Sequence, residues 1–152
     1  MIIKQQHGAY LVKLGTMGEQ ANGDVVYKQL WFYEHLAGIT QKVRRNHVVA
    51  ELYPTHQGRN RKNLNTINGL NAFGLFTDIG THQLPGDDDL HVVGLLKLAG
   101  PHAQTVQAMF QHDPHGATWQ FHMRALIRRQ EGRRIVPIVD DVITWDIHHK
   151  YS

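Results

Sequence analysis

A chain of 152 residues with 41% hydrophobic content is long enough for one domain with a buried core and short for two. Cysteine is absent, which excludes disulfide frameworks, thiolate metal sites and cysteine nucleophiles. The formal charge of +3 is spread along the chain; it permits contact with nucleic acid without demanding it.

In chain order, Gly8 to Leu14 and Asp24 to Lys28 read as strands around the turn-like "GEQANGD". "QLWFYEHLAGI" (Gln29 to Ile39) reads as a short helix closed by Gly38, with a strand continuing from "DVVYK" as the alternative. "HVVAELYP" (His47 to Pro54) is a strand that runs into the polar loop "THQGRNRKN". Leu64 to Phe76 begins with a short helical stripe at Leu64, Ile67 and Leu70, then becomes extended. "THQLPGDDD" (Thr81 to Asp89) is a loop. "LHVVGLLKLAG" (Leu90 to Gly100) is a nearly continuous apolar run and reads as a buried strand. In "GPHAQTVQAMFQHDPHG", Pro101 suits a first helical position. Ala103, Val106, Met109 and Phe110 form an apolar stripe, and Asp113-Pro114 ends the helix.

The chain closes with a long hairpin. Its first strand, "TWQFHMRALIRRQE", puts Trp119, Phe121, Met123, Ala125 and Ile127 on one face. Gln120, His122, Arg124 and Leu126 take the other. The turn "RQEGRR" around Gly132 leads to the return strand "VDDVITWDIHH". The expectation is one α+β domain over residues 1–152. It is strand-rich, a curled or closed, mainly antiparallel β-barrel with two or three flanking helices.

Serine occurs once, as Ser152, whereas histidine occurs twelve times. A serine nucleophile inside the fold is therefore excluded. Two groupings of residues can carry chemistry. Strand alternation puts His122 and Arg124 on one face of the hairpin, and Thr144, Asp146 and His148 on one face of its return. A carboxylate beside an imidazole fixes the tautomer and raises basicity, so His122, Arg124, Asp146 and His148 form a candidate acid–base cluster. The alternative is an ordinary polar face. The second grouping is "GTHQLPGDDDLH", where His82, Asp87, Asp88, Asp89 and His91 offer ligands for a metal-dependent hydrolase; the alternative is a solvated acidic turn. Arg44, Arg45, Arg59, Arg61 and Lys62 make the most basic stretch, suited to phosphates in a binding module or simply solubilising.

The order of several motifs resembles the prohead maturation proteases of tailed bacteriophages, relatives of the herpesvirus capsid protease (assemblin). These are "QGRNRKN", then "GTHQLP", then "VVGLLKLAGPHAQTVQAMF", then "FHMRALIRRQEGRRIV" and finally "VITWDI". The resemblance covers roughly Val48 to the C-terminus. It implies that His82 matches the general base, Asp146 an acidic position that orients it, and His148 the second histidine of the herpesvirus branch. Arg124 would support the oxyanion region, and His122 falls on the nucleophilic serine. An imidazole there cannot form the acyl ester that such an enzyme requires. The resemblance thus implies a serine protease-like protein of capsid assembly and virion maturation, with little or no peptidase activity. Its expected partners are capsid and scaffold proteins, with self-association into a homo-oligomer. No cofactor is implied. No apolar run approaches membrane-spanning length and the N-terminal stretch lacks signal-peptide layout, so the expected location is the host cytoplasm or the assembling virion.

Overall fold

The computed structural model describes residues 1–17, 20–21, 25–26, 29–54, 66–86, 88–130 and 136–150. The turns "GEQANGD" and "RQEGRR", the loop "THQGRNRKN" and Asp87 lie wholly or largely outside them.

Strands β1 (Ile2–Gln6) and β2 (Ala9–Thr16) form a hairpin. Both residues of its turn, His7 and Gly8, have positive φ, the backbone that a right-twisted two-residue hairpin requires. A short pair follows, β3 (Gln20–Ala21) with β4 (Val25–Val26). Helix α1 spans Gln29–Asn46 and does not stop at Gly38 as the sequence suggested. The spacing of Leu36, Ile39 and Val43 carries one apolar face onward past the glycine, and Ile39 and Val43 are buried against the core. That burial offsets the roughly 1 kcal/mol that a mid-helix glycine costs. Arg44 and Arg45 lie in the last turn, where cations complement the helix dipole. His47, at a φ of 48°, then breaks the helix.

Strand β5 (Val48–Glu51) and a 3-10 turn (Gly69–Asn71) precede β6 (Ala72–Gln83) and β7 (Leu90–Leu98). The sequence reading put Thr81 onward in a loop. Instead β6 runs to Gln83, because β7 supplies partners for Thr81, His82 and Gln83 at Val92, His91 and Leu90. Helix α2 is Ala103–His112, and the hairpin strands are β8 (Trp119–Gln130) and β9 (Val136–His149). Pro101 precedes α2, whose N-cap is His102. The longest sheet has the order β1-β2-β7-β6-β5, and β8-β9 forms a sheet of its own.

The core lies between these two sheets. Tyr10, Val12, Leu14, Phe73, Phe76 and Leu96 meet Trp119, Phe121, Met123, Trp145 and Ile147. Phe76 meets both Phe121 and Trp145 edge-on at 6.0 Å, a favoured arrangement for aromatic pairs. Gly94 makes this contact possible: a Cβ there would stand 2.9 Å from Phe76 Cδ1 and 3.0 Å from Leu14 Cδ1. Helix α1 adds Ile39 and Val43 to this same core; its Thr40 hydroxyl donates to Ile79 O of β6 at 3.2 Å and its Lys42 Nζ to Val142 O of β9 at 2.8 Å.

Among the described residues the fold is thus α+β with mostly antiparallel strands and two helices, and the expected curled or closed barrel is not what forms. Barrel closure needs a backbone ladder with strands about 4.8 Å apart, whereas sheets packed face to face stand about 10 Å apart with side chains between them. Here the large side chains of Trp119, Phe121 and Trp145 pack in the core rather than beside a continuous ladder between the sheets. Between β5 and β9 the described backbone links are a parallel bridge of Leu52 with Ile147 and a bond from Tyr53 N to Ile147 O at 2.8 Å. Upstream of that point β5 meets β9 through side chains.

The α2–β8 connection is organised by Asp113. Its carboxylate accepts from Ala117 N, Thr118 N and the Thr118 hydroxyl at 2.8 to 2.9 Å, and its carbonyl accepts from Trp119 Nε1. The backbone donors at Ala117 and Thr118 favour the ionised form and hold this carboxyl below its ordinary range. A carboxylate lowered by folding adds stability above its unfolded pKa, and that stability is lost as pH falls through the folded value. Replacing Asp113 with alanine is therefore expected to lower the melting temperature at neutral pH and to leave it nearly unchanged in acid. Thermal melts of both proteins across that range check this; an equal deficit at all pH values would refute it.

Candidate functional site

The face of the β8–β9 hairpin expected to be polar is where the buried charges collect. The register opposes His122 to Asp146, Arg124 to Thr144 and Gln120 to His148, so these residues share one face, as directly opposed residues in an antiparallel pair do. Arg124, Thr144 and Asp146 are nevertheless buried, because β5 lies against this part of the hairpin.

Strand β5 turns the N–H and C=O groups of its odd-numbered residues toward β9. Val49 O accepts from the Thr144 hydroxyl at 2.8 Å, and Glu51 N donates to Asp146 Oδ1 at 3.0 Å. Two side chains of β9 thus satisfy the open edge of β5 where a neighbouring strand would otherwise do so.

The same carboxylate grips Arg124. Nε donates to Asp146 Oδ2 and Nη2 to Oδ1, both at 2.8 Å, the bidentate fork that matches guanidinium to carboxylate. Nη2 also donates to Glu51 Oε2 at 2.7 Å, and Nη1 to Thr66 O at 3.2 Å. Glu51 and Asp146 are fully buried. Two carboxylates facing one guanidinium leave an excess of negative charge. Further donors meet it: Asn68 N to Glu51 Oε2 and Asn71 Nδ2 to Glu51 Oε1, each at 3.2 Å. Burial opposes the charged guanidinium, but the hydrogen bonds and charges of Asp146 and Glu51 outweigh it, and the Arg124 pKa is raised.

Of the residues singled out in the sequence, four come together: His122, Arg124, Asp146 and His148. His122 and His148 are half-buried, and their rings stack at 4.5 Å with planes 20° apart. Next to them, His149 stacks on Tyr53 at 3.8 Å. His82 does not join the cluster. Glu51 opposes Ala72 at the start of β6. His82 stands exposed at the other end of that strand, roughly 30 Å along it at about 3.3 Å per residue.

The acidic-loop grouping divides as well. His82 opposes His91 across β6 and β7, but His91 is buried with Nδ1 2.9 Å from the Thr16 hydroxyl. Asp88 and Asp89 are exposed, and Asp87 lies outside the described residues. Among the described residues no group of three histidine or acidic side chains is placed to hold a metal ion. Of the basic stretch, Arg44 pairs with Asp78 at 2.9 Å on the surface, while Arg59, Arg61 and Lys62 lie outside the described residues. No helix among the described residues is long and apolar enough to cross a membrane.

Sequence reasoning missed Glu51, Asn68 and Asn71. The signal for the first was present: a carboxylate inside the apolar run "VVAELY" has to be satisfied if that strand is buried. The asparagines carried no signal, since their role depends on where the loop before β6 returns.

What the cluster does chemically is to lock β5, β8, β9 and the segment before β6 together. Removing one partner strands the other charges in the interior, at a typical cost of about 3–5 kcal/mol. Arg124→Met is therefore expected to destabilise by about that amount, and Glu51→Gln by less, since the amide of Gln still donates and accepts. Denaturant unfolding of both variants measures this; a loss below about 1 kcal/mol for Arg124→Met would show that the cluster contributes little.

No protein-family model matches the chain, and no curated protein or solved structure matches it either.

Proposed function

We propose that this chain is a prohead protease-like protein without peptidase activity, which takes part in capsid assembly by binding scaffold and capsid proteins rather than cutting them. The observation that carries the reading is the engagement of Asp146. A triad carboxylate must orient an imidazole, but both oxygens of this one are held by Arg124 and one also by Glu51 N. His82, the position that would match the general base, is exposed at the far end of β6. Position 122 has no hydroxyl. The motif order from Val48 onward supports the ancestry, and the geometry of the cluster supports a structural role for its charges.

The same geometry separates ancestry from activity. A serine at position 122 would stand beside His148, whose ring now lies 4.5 Å from that of His122, within range of a small movement into hydrogen bonding. Intact-mass analysis with a helical scaffold-like substrate is the test. The native protein is expected to leave the substrate whole, and cleavage by it would overturn the proposal. Cleavage by His122→Ser, abolished in His122→Ser/His148→Ala and retained in His122→Ser/His82→Ala, is expected if the site descends from a protease. A His122→Ser protein that folds and cuts nothing would remove the support for that ancestry.

A further inference from the structure

We infer that His122 and His148 form a binding site for a late first-row divalent cation, two imidazoles supplying two ligands and water the rest. The inference is independent of the protease ancestry, since it concerns only how the hairpin places two rings. His122 opposes Asp146, and His148 lies two residues farther along β9. The two histidines are thus diagonal neighbours on one face, a separation that long side chains span. Their rings stack at 4.5 Å and 20°.

Two nitrogens bound to one tetrahedral metal at about 2.0–2.1 Å stand about 3.4 Å apart. Imidazole lone pairs lie in the ring planes, so the near-parallel pair must turn out of its stack about the side-chain torsions until one nitrogen of each ring points at a shared ion. The backbone beneath needs no rearrangement. The ladder pairs each residue from Trp119 to Arg124 with one of β9, and the Arg124 fork holds Asp146 between the two histidines. With the two strand positions fixed, only side-chain torsions have to change on binding, which limits the freedom lost.

The donor set decides the metal. Neutral imidazole suits copper, nickel and zinc, and affinity at a given nitrogen site rises to copper(II) before falling at zinc. Asp146 does not serve as a third ligand, because its oxygens are committed to Arg124 and Glu51 N. This agrees with the absence of any group of three ligating side chains among the described residues, and sets the site apart from a closed structural zinc centre. Other histidines are placed less well. His91 is buried against Thr16, and His149 stacks on Tyr53.

The test titrates the folded protein with copper(II) and with zinc(II) alone, by calorimetry against a competing chelator. His122→Ala and His148→Ala are each expected to lose the tightest site. Losing a direct ligand should weaken binding by at least the roughly 10–100-fold that loss of an outer partner costs. His82→Ala and His149→Ala should retain it. Unchanged affinity and stoichiometry in both His122→Ala and His148→Ala would overturn the inference. A second measurement needs no variant: on adding zinc(II) to the native protein, the ring protons of His122 and His148 should shift first in the NMR spectrum. Earlier shifts at other histidines would also overturn it.

Discussion

The open edge of β5 is the constraint on which the rest of this structure depends. A four-residue strand paired on one side only, and covered on the other by a hairpin, has backbone groups with no water to meet them. A buried amide or carbonyl without a partner costs about 1–3 kcal/mol. The chain resolves this with side chains of β9: the Thr144 hydroxyl for Val49 O and the Asp146 carboxylate for Glu51 N. One residue pair farther on, at Tyr53 and Ile147, backbone meets backbone. Backbone thus joins the two sheets at this point, and the aromatic side chains of Trp119, Phe121 and Trp145 fill the core they share.

A carboxylate used in that way brings its own charge into the interior, and the remaining buried polar groups follow from it. Arg124 neutralises Asp146 from the neighbouring strand; Glu51, whose amide Asp146 holds, turns its own carboxylate to the same guanidinium. Asn68 and Asn71 complete the shell from the segment ahead of β6. Each group is satisfied only while the others are in place, so the network specifies how three separate stretches of chain dock, whatever its net contribution to stability.

This arrangement bears directly on chemistry. Catalytic carboxylates and arginines are held so that at least one contact remains for substrate or for a working imidazole. Here the fork of Arg124 and both oxygens of Asp146 are turned inward and closed on each other. The groups on that face that reach toward the surface are the half-buried rings of His122 and His148. Two stacked imidazoles are thus presented on the face that carries the Arg124–Asp146 salt bridge.

The sequence by itself determined the elements whose patterns are local. These are β2 from the strand-and-turn pattern around "GEQANGD", β7 from its apolar run, α2 from a stripe ended by Asp113-Pro114, and the long closing hairpin with His122, Arg124, Asp146 and His148 on one face. Period and turn chemistry act over a few residues, so they are legible without the fold. The length of α1 was only partly legible, because Gly38 signals an ending locally and burial of Ile39 and Val43 overrides it. Only tertiary structure decided that the hairpin's polar face is covered by β5, that Glu51 and two asparagines belong to the cluster, and that His82 does not. Only it decided that the strands form facing sheets and no closed barrel. The physical reason is the same in each case. Which backbone edge is left open, and which side chain reaches it, depends on contacts between residues 17 to 95 positions apart, and no local pattern encodes them.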